Sequence, residues 1–441
     1  MNRINFIKET LELLHSYSIS YCILRNFDFL IEEREPEKSS ELGLDMVVSE
    51  KDSTEFDKLL RERGFVTAKR SFSRKHINYV AMCNLDLISF DVQIGGVHWN
   101  DMLYLDEEHI LSNKVWKHFF YVPSDNDAFV MLVLHSIFGK RMFKSEYKKI
   151  ISSISPDKHY VKARFKEIFD ERTAQRLLDL ALNSKYDLIL QKKYFLVFSF
   201  IFRSPGRIAA FTLLFFRWLV WKWKKKGSAY PLVSIIGPDG AGKSTMTESL
   251  AAYLENNYRK VSIIYSGRGR DHILPITRLG YLYKVKELKK ERDSEAREKR
   301  MKKESEKGSG NFSFLYAVAS PVFALDQLLR YIFRIFPKRR TGHIVVTDRY
   351  CSDIMLMKHV PFQIKRFFLF FFPTPTISIY LYNTPEILHQ RRPEEPELEL
   401  KRQMEIFDQF TYSLRLKTSD LGEDQQKVIS FVMLNLLKKG F

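Results

Sequence analysis

The chain has 441 residues, 45% of them hydrophobic, with a formal net charge of +18. That length exceeds one ordinary core and suggests two or three domains, and that apolar content excludes a disordered polyelectrolyte. Three scattered cysteines, Cys22, Cys83 and Cys351, argue against a disulfide scaffold and show no zinc-type spacing, so a reducing, cytoplasmic setting is expected. Met1–His15 mixes charged and apolar residues at helical spacing and lacks the apolar core of a signal peptide.

Residues 1–123 read as a mixed α/β domain. Ile4–Ser16 has helical periodicity, Tyr21–Leu24 and Leu44–Val48 are short apolar strands, and Ser53–Arg63 is a helix stopped by Gly64. His76–Met82 and Leu85–Ile94 have the form of paired strands. From Asp125 to about Phe202 the period turns helical, and Arg203–Gly206 breaks it. Ile208–Lys226 is an apolar, aromatic helix with a basic end, and Gly227 and Pro231 mark a linker, so 124–230 is expected to be a helical region. Residues 231–441 alternate strands (Val233–Ile236, Val261–Tyr265, Ile344–Thr347, Ile377–Tyr382) with helices, the pattern of a parallel sheet with flanking helices. The mixed-charge run Lys284–Lys307 reads as a solvated helix.

The chemistry concentrates after Ile236. Gly237-Pro238-Asp239-Gly240-Ala241-Gly242-Lys243-Ser244 fits GxxxxGK[ST], preceded by a strand and followed by a helical run from Thr245 to Glu255. Gly237, Gly240 and Gly242 let backbone N–H groups curl around phosphate oxygens, and the helix N-terminus adds positive partial charge. Lys243 is placed to reach the terminal phosphates and Ser244 to ligate magnesium, with Thr245 completing the loop. ATP with Mg2+ is therefore the expected ligand. A second strand, His343–Thr347, ends in Asp348, an acid placed to hold the metal or its water. Arg349 and Tyr350 follow at once, and a guanidinium fork there suits a phosphate-bearing acceptor.

With GPDGAGKST and a later DRY, residues 232–435 resemble the thymidylate kinase family of nucleoside monophosphate kinases. The resemblance implies a P-loop NTPase fold and a catalytic set of Asp239, Lys243, Asp348 and Arg349, with Arg349 and Tyr350 at the acceptor. It also implies a lid arginine, matched by Arg391 or Arg392. Two family features are altered. The Arg-bearing turn after the second strand is replaced by Ser266-Gly267-Arg268-Gly269-Arg270, where Arg268 or Arg270 can serve, and thymine-reading residues are not recognisable in Cys351–His359. An insertion of roughly Lys284–Arg340 separates that strand from Asp348.

The first 120 residues resemble the nucleotidyltransferase superfamily through Leu42–Val48 and Ser89–Gln93. Asp45 matches the second acid of its metal-binding set and Asp91 the third, but Gly43 stands where the first acid belongs, which implies a degenerate, non-catalytic or ligand-sensing domain. His98 and Trp99 read as packing residues.

Three readings stand. The leading one is phosphoryl transfer from MgATP to a nucleoside monophosphate or other small-molecule acceptor. A non-catalytic nucleotide-binding switch and a nucleic-acid-end kinase are the others, with nucleic acid the weaker partner. Homodimerisation is left open. Ile208–Lys226, Phe312–Arg340 and Ile364–Phe372 mix aromatic and basic residues in a way that suits peripheral contact with an anionic membrane surface, or packing between domains.

Overall fold

The computed structural model describes residues 2–33, 43–68, 73, 75–227, 229–257, 260–267, 271–275, 321–357 and 360–441. Arg268, Arg270, the Lys284–Lys307 run and the first part of the Phe312–Arg340 stretch lie outside the described residues. The chain forms two compact units, residues 1–227 with 436–441, and residues 228–435.

The first unit is built on a five-stranded sheet of order β1-β2-β5-β4-β3: β1 (Tyr21–Arg25), β2 (Gly43–Val48), β3 (Val66–Ala68), β4 (His76–Cys83) and β5 (Asp86–Ile94). β2 and β5 run parallel; the other pairs are antiparallel. Strand alternation sorts its side chains to two cores. Tyr21, Ile23, Leu44, Met46 and Val48 point to one core. Helices α1 (Arg3–Ser16) and α3 (Ser53–Glu62) fill it, burying Ile4, Ile7, Leu11 and Leu14, and Phe56, Leu59 and Leu60, at helical spacing. The Asn2 side chain starts α1 by accepting from the Ile4 amide at 3.0 Å. The short α2 (Asp28–Ile31) follows β1.

Cys22, Leu24 and Val47 point to the other core. There lie α5 (Asp125–His135), α6 (Ser145–Ser153), α7 (Lys158–Ile168), α8 (Glu171–Leu182), α9 (Tyr186–Gln191) and the inner side of α10 (Lys193–Phe202). The region expected as separate after residue 123 therefore shares a core with the sheet. Two small hairpins, β6 (Gly96–Trp99) with β7 (Met102–Asp106) and β8 (Val115–Lys117) with β9 (Phe120–Val122), and α4 (Glu107–Ser112), complete the unit with α11 (Pro205–Gly227).

The second unit is a five-stranded, wholly parallel sheet of order β11-β12-β10-β13-β14. Its strands are β10 (Leu232–Ile236), β11 (Val261–Tyr265), β12 (Ile344–Asp348), β13 (Ile377–Tyr382) and β14 (Leu414–Lys417). β10 and β12 are buried along their whole length, as continuous apolar runs between helical layers require. The helices are α12 (Lys243–Asn257), α13 (321–340, with a π-turn at Tyr331–Ile335), α14 (Phe362–Phe370), α15 (Pro385–Arg391), α16 (Glu397–Phe407) and α17 (Leu421–Lys439). α12 buries Met246, Leu250 and Leu254, one turn apart.

Candidate functional site

The site forms where β10 and β12 end side by side. Ile235 is level with Asp348, and Tyr265 of β11 is level with Asp348 on the other side. β10 runs into the glycine loop, and α12 opens at Lys243, two residues before the expected start. Gly237 is required by close approach: a Cβ there would run into the Leu381 carbonyl oxygen. Beyond it, Gly240 passes under α15, where a Cβ would sit 2.8 Å from the Leu388 carbonyl oxygen and 3.5 Å from Arg392 Cγ. Gly242 and Thr245 are exposed at the mouth.

Lys243 is 6% exposed, and its ammonium donates to the Pro238 carbonyl at 2.5 Å. Its Nζ is 3.9 Å from Asp239 Oδ1. Burial lowers its pKa to about 7, with Arg349 pushing the same way and Asp239 and Asp348 opposing. A buried ammonium with its nearest carboxylate oxygen 3.9 Å away is short of counter-charge, which phosphate oxygens would supply.

Ser244 Oγ donates to Asp348 Oδ2 at 2.6 Å. The other carboxylate oxygen, Oδ1, is buried with no hydrogen-bond partner. An orphaned acidic oxygen beside a hydroxyl is a donor set that fits a hard cation completing its sphere with phosphates and water. Among the described residues no cluster of three or more His, Cys, Asp or Glu side chains offers a metal cage.

Arg349 joins the two halves of the site. Its guanidinium pairs with Asp239 in the loop and with Asp353 at 3.2 Å. Burial works against its charge, but Asp353 and Asp239 outweigh it and raise the pKa above the usual arginine value. Its backbone is left-handed at φ +68°, with its amide donating to the Ile235 carbonyl at 2.9 Å. For a residue with a Cβ this conformation costs about 1–3 kcal/mol. The neighbouring turn is shaped around it: a Cβ at Gly267 would strike Arg349 Cδ and the Tyr265 hydroxyl.

Tyr350 takes a different place from the acceptor contact expected of it. It is 2% exposed, packs in the core with Val345 and Tyr380, and donates its hydroxyl to the Pro373 carbonyl at 2.8 Å. The left-handed turn at Arg349 sends successive side chains apart, one to the loop and one to the core. The two lid arginines also separate. Arg392 lies by Gly240, whereas Arg391 donates to Thr418 Oγ1 at 3.1 Å.

Several residues were not anticipated. Asp353 sits buried in the turn Cys351–Leu356, and Gln403 of α16 accepts from the Asp239 amide at 3.3 Å. The largest group is on α13, inside the expected insertion. Asp326 Oδ1 accepts from the amides of Ile273 at 2.8 Å and Leu274 at 2.7 Å, and Oδ2 accepts from Arg330 Nε at 2.8 Å. Arg330 and Gln327 in turn donate to the Gly267 carbonyl at 2.8 and 3.3 Å. Both flanks of the segment carrying Arg268 and Arg270 are thus held by one helix. An Asp and an Arg four residues apart on an apolar helix were the available signal.

In the first unit, Asp45 and Asp91 are register partners on β2 and β5. Each has a nitrogen partner: Arg25 Nε lies 2.6 Å from Asp45, and His76 Nε2 lies 2.5 Å from Asp91. Burial opposes ionisation of Asp91, but His76 overrides it and lowers the pKa; the same pairing raises that of His76. Trp99 stacks on Phe138, in keeping with its expected packing role.

The second unit is a mixed α/β structure, a wholly parallel five-stranded sheet with flanking helices and a glycine loop at the end of β10. No protein-family model matches the chain, and no curated protein does. Among solved structures, a thymidylate kinase from Ehrlichia chaffeensis is similar at 15% identity, over 47% of this chain and 100% of its own, with a TM-score of 0.31. A likeness that low carries no weight for function.

Proposed function

We propose that residues 228–435 transfer a phosphoryl group from MgATP to a small acceptor, a nucleoside monophosphate or another phosphorylated or hydroxyl-bearing molecule. The supporting observation is the convergence of Lys243, Ser244, Asp348 and the Asp239–Arg349 pair on one loop mouth. Phosphoryl transfer asks for positioning and charge rather than covalent chemistry. In this reading Lys243 and the loop amides hold the donor phosphates, and Ser244 and Asp348 would hold a magnesium ion, which would supply charge neutralisation. Arg349 turns toward the acceptor phosphate, with Asp239 and Asp353 aiming its guanidinium, and Arg392 is the arginine placed to close over the transferred group. An acceptor phosphate oxygen attacks the γ-phosphorus, and ADP departs with the bridging oxygen; a hydroxyl acceptor would in addition release its proton to water.

The test is ADP formation with and without a panel of nucleoside monophosphates. Acceptor-stimulated turnover is expected. Hydrolysis that no acceptor stimulates would point instead to a nucleotide switch. Asp348→Asn should lower kcat at least tenfold, about 1.4 kcal/mol of transition-state stabilisation. Asp239→Ala should lower kcat more than it weakens ATP binding. Wild-type kcat in both variants would sink these role assignments.

The first unit is proposed to be non-catalytic. With Arg25 on Asp45, His76 on Asp91 and Gly43 in place of a third acid, no two-metal site is expected. Nucleotidyl transfer that disappears in the Asp45→Ala/Asp91→Ala double variant would overturn this.

A further inference from the structure

Helices α10 and α11 carry more apolar surface than a water-facing element needs. The inner face of α10 buries Leu196, Phe200 and Ile201. Its outer face presents Tyr194, Phe198 and Phe202, one turn apart, and Phe202 is 65% exposed. α11 goes further. From Pro205 to Val220 none of its residues is buried; Arg207, Ala210, Leu214, Arg217 and Leu219 are half-buried, and the other residues of that span are exposed. The exposed surface of the helix includes Phe211, Phe215, Phe216 and Trp223, the last 81% exposed. Contiguous apolar surface of this kind marks an interaction site.

Charge and geometry select the partner. From Leu188 to Gly227 the sequence has lysines and arginines but no aspartate or glutamate. Lys222 lies over the Trp218 ring at 4.7 Å, an apolar ring with a cation at its edge. Among the described residues no single helix is long and apolar enough to cross a membrane. α10 and the apolar part of α11 meet the hydropathy criterion only as a pair, and they meet at 108°. The corner between them is polar and braced. Arg203 donates to the Lys166 carbonyl at 3.4 Å, and Arg207 donates to the Phe200 carbonyl at 3.3 Å with its guanidinium 4.2 Å over the Phe200 ring. A corner of arginines is a poor tip for entering hydrocarbon, so the pair is not a re-entrant wedge.

We infer that α11 is a monotopic membrane helix. It lies in the plane of the headgroup–acyl boundary of an anionic bilayer, rings inserted, with its cations among lipid phosphates. This stands independently of the proposed phosphoryl transfer.

The experiment is co-sedimentation of the full chain with sucrose-loaded vesicles of phosphatidylcholine, alone or mixed with phosphatidylglycerol, at low and high salt. The wild type is expected to partition at least tenfold more strongly into the anionic vesicles, and salt is expected to weaken it. The exposed-site variant Phe211→Ser/Phe215→Ser/Phe216→Ser should lose at least tenfold with its circular dichroism unchanged. Should that variant misfold, quenching of wild-type tryptophan fluorescence by brominated lipid decides: quenching supports the placement, and its absence overturns it. No preference for anionic vesicles, or equal partition of a folded triple variant, would also overturn it. So would a wild-type dimer that the triple variant converts to monomer, since the face would then belong to a second copy.

Discussion

Lys243→Ala is expected to lower phosphoryl transfer roughly 10²–10³-fold, the usual effect of deleting one preorganised charge contact to a reacting group. Thermal stability should barely change. Lys243 is buried, so the folded protein already holds its charge at a disadvantage, which its bond to the Pro238 carbonyl and the carboxylates of Asp239 and Asp348 offset only in part. Removing a poorly compensated buried cation does not weaken a fold in the way that breaking a matched pair does. Steady-state kinetics with MgATP and calorimetry on the same variant separate the two effects. Unchanged turnover would refute the role of the glycine loop, whereas collapse of the fold would show that the lysine is structural.

Asp326→Ala should have the opposite profile, a large loss of stability. Arg330 is fully buried, and Asp326 is its carboxylate partner at 2.5 Å. Deleting one partner of a buried pair costs roughly 3–5 kcal/mol, because the remaining charge is stranded. For a unit of about 200 residues that corresponds to a fall in Tm of roughly 6–20 °C. Since the chain has two compact units, the transition to follow is that of the second one alone. The pH dependence provides a further check. Burial works against the Asp326 carboxylate, but the Leu274 amide and Arg330 outweigh it and depress the pKa. A depressed carboxylate contributes stability above its unfolded pKa and loses it as pH falls through the folded value. The gap between wild type and Asp326→Ala should therefore be full at neutral pH and narrow below the ordinary carboxylate range. A gap that widened on acidification would contradict the pairing.

The parts of the site visible in the sequence are those set by local chain order. Strand, glycine loop and helix are contiguous, and an acid closing an apolar strand marks itself, so Lys243, Ser244 and Asp348 could be placed without coordinates. What escaped depends on long-range packing. Asp326 and Arg330 fell within the insertion and its aromatic, basic stretch Phe312–Arg340, and their four-residue spacing alone does not say that they turn inward onto the Gly267 turn. Tyr350 was misread because a backbone reversal at Arg349 cannot be inferred from a residue type that rarely adopts it. β14 was missed for another reason: four residues alternating at a sheet edge are too short to rise above a loop. In the first unit Asp45 and Asp91 could be put on strands from pattern, but their register and the partners beside them, Arg25 at the end of β1 and His76 at the start of β4, depend on strand pairing.

The left-handed backbone at Arg349 bears on how this protein responds to selection. Glycine adopts that conformation freely, so the backbone alone would favour it there. The side chain opposes the exchange: without the guanidinium the buried Asp353 carboxylate would lose its cation, a loss that outweighs about 1–3 kcal/mol of backbone strain. A screen that rewards thermal resistance alone would therefore tend to retain arginine at position 349, and with it the group read as the phosphate contact. Durability and chemistry select the same residue within one peptide unit.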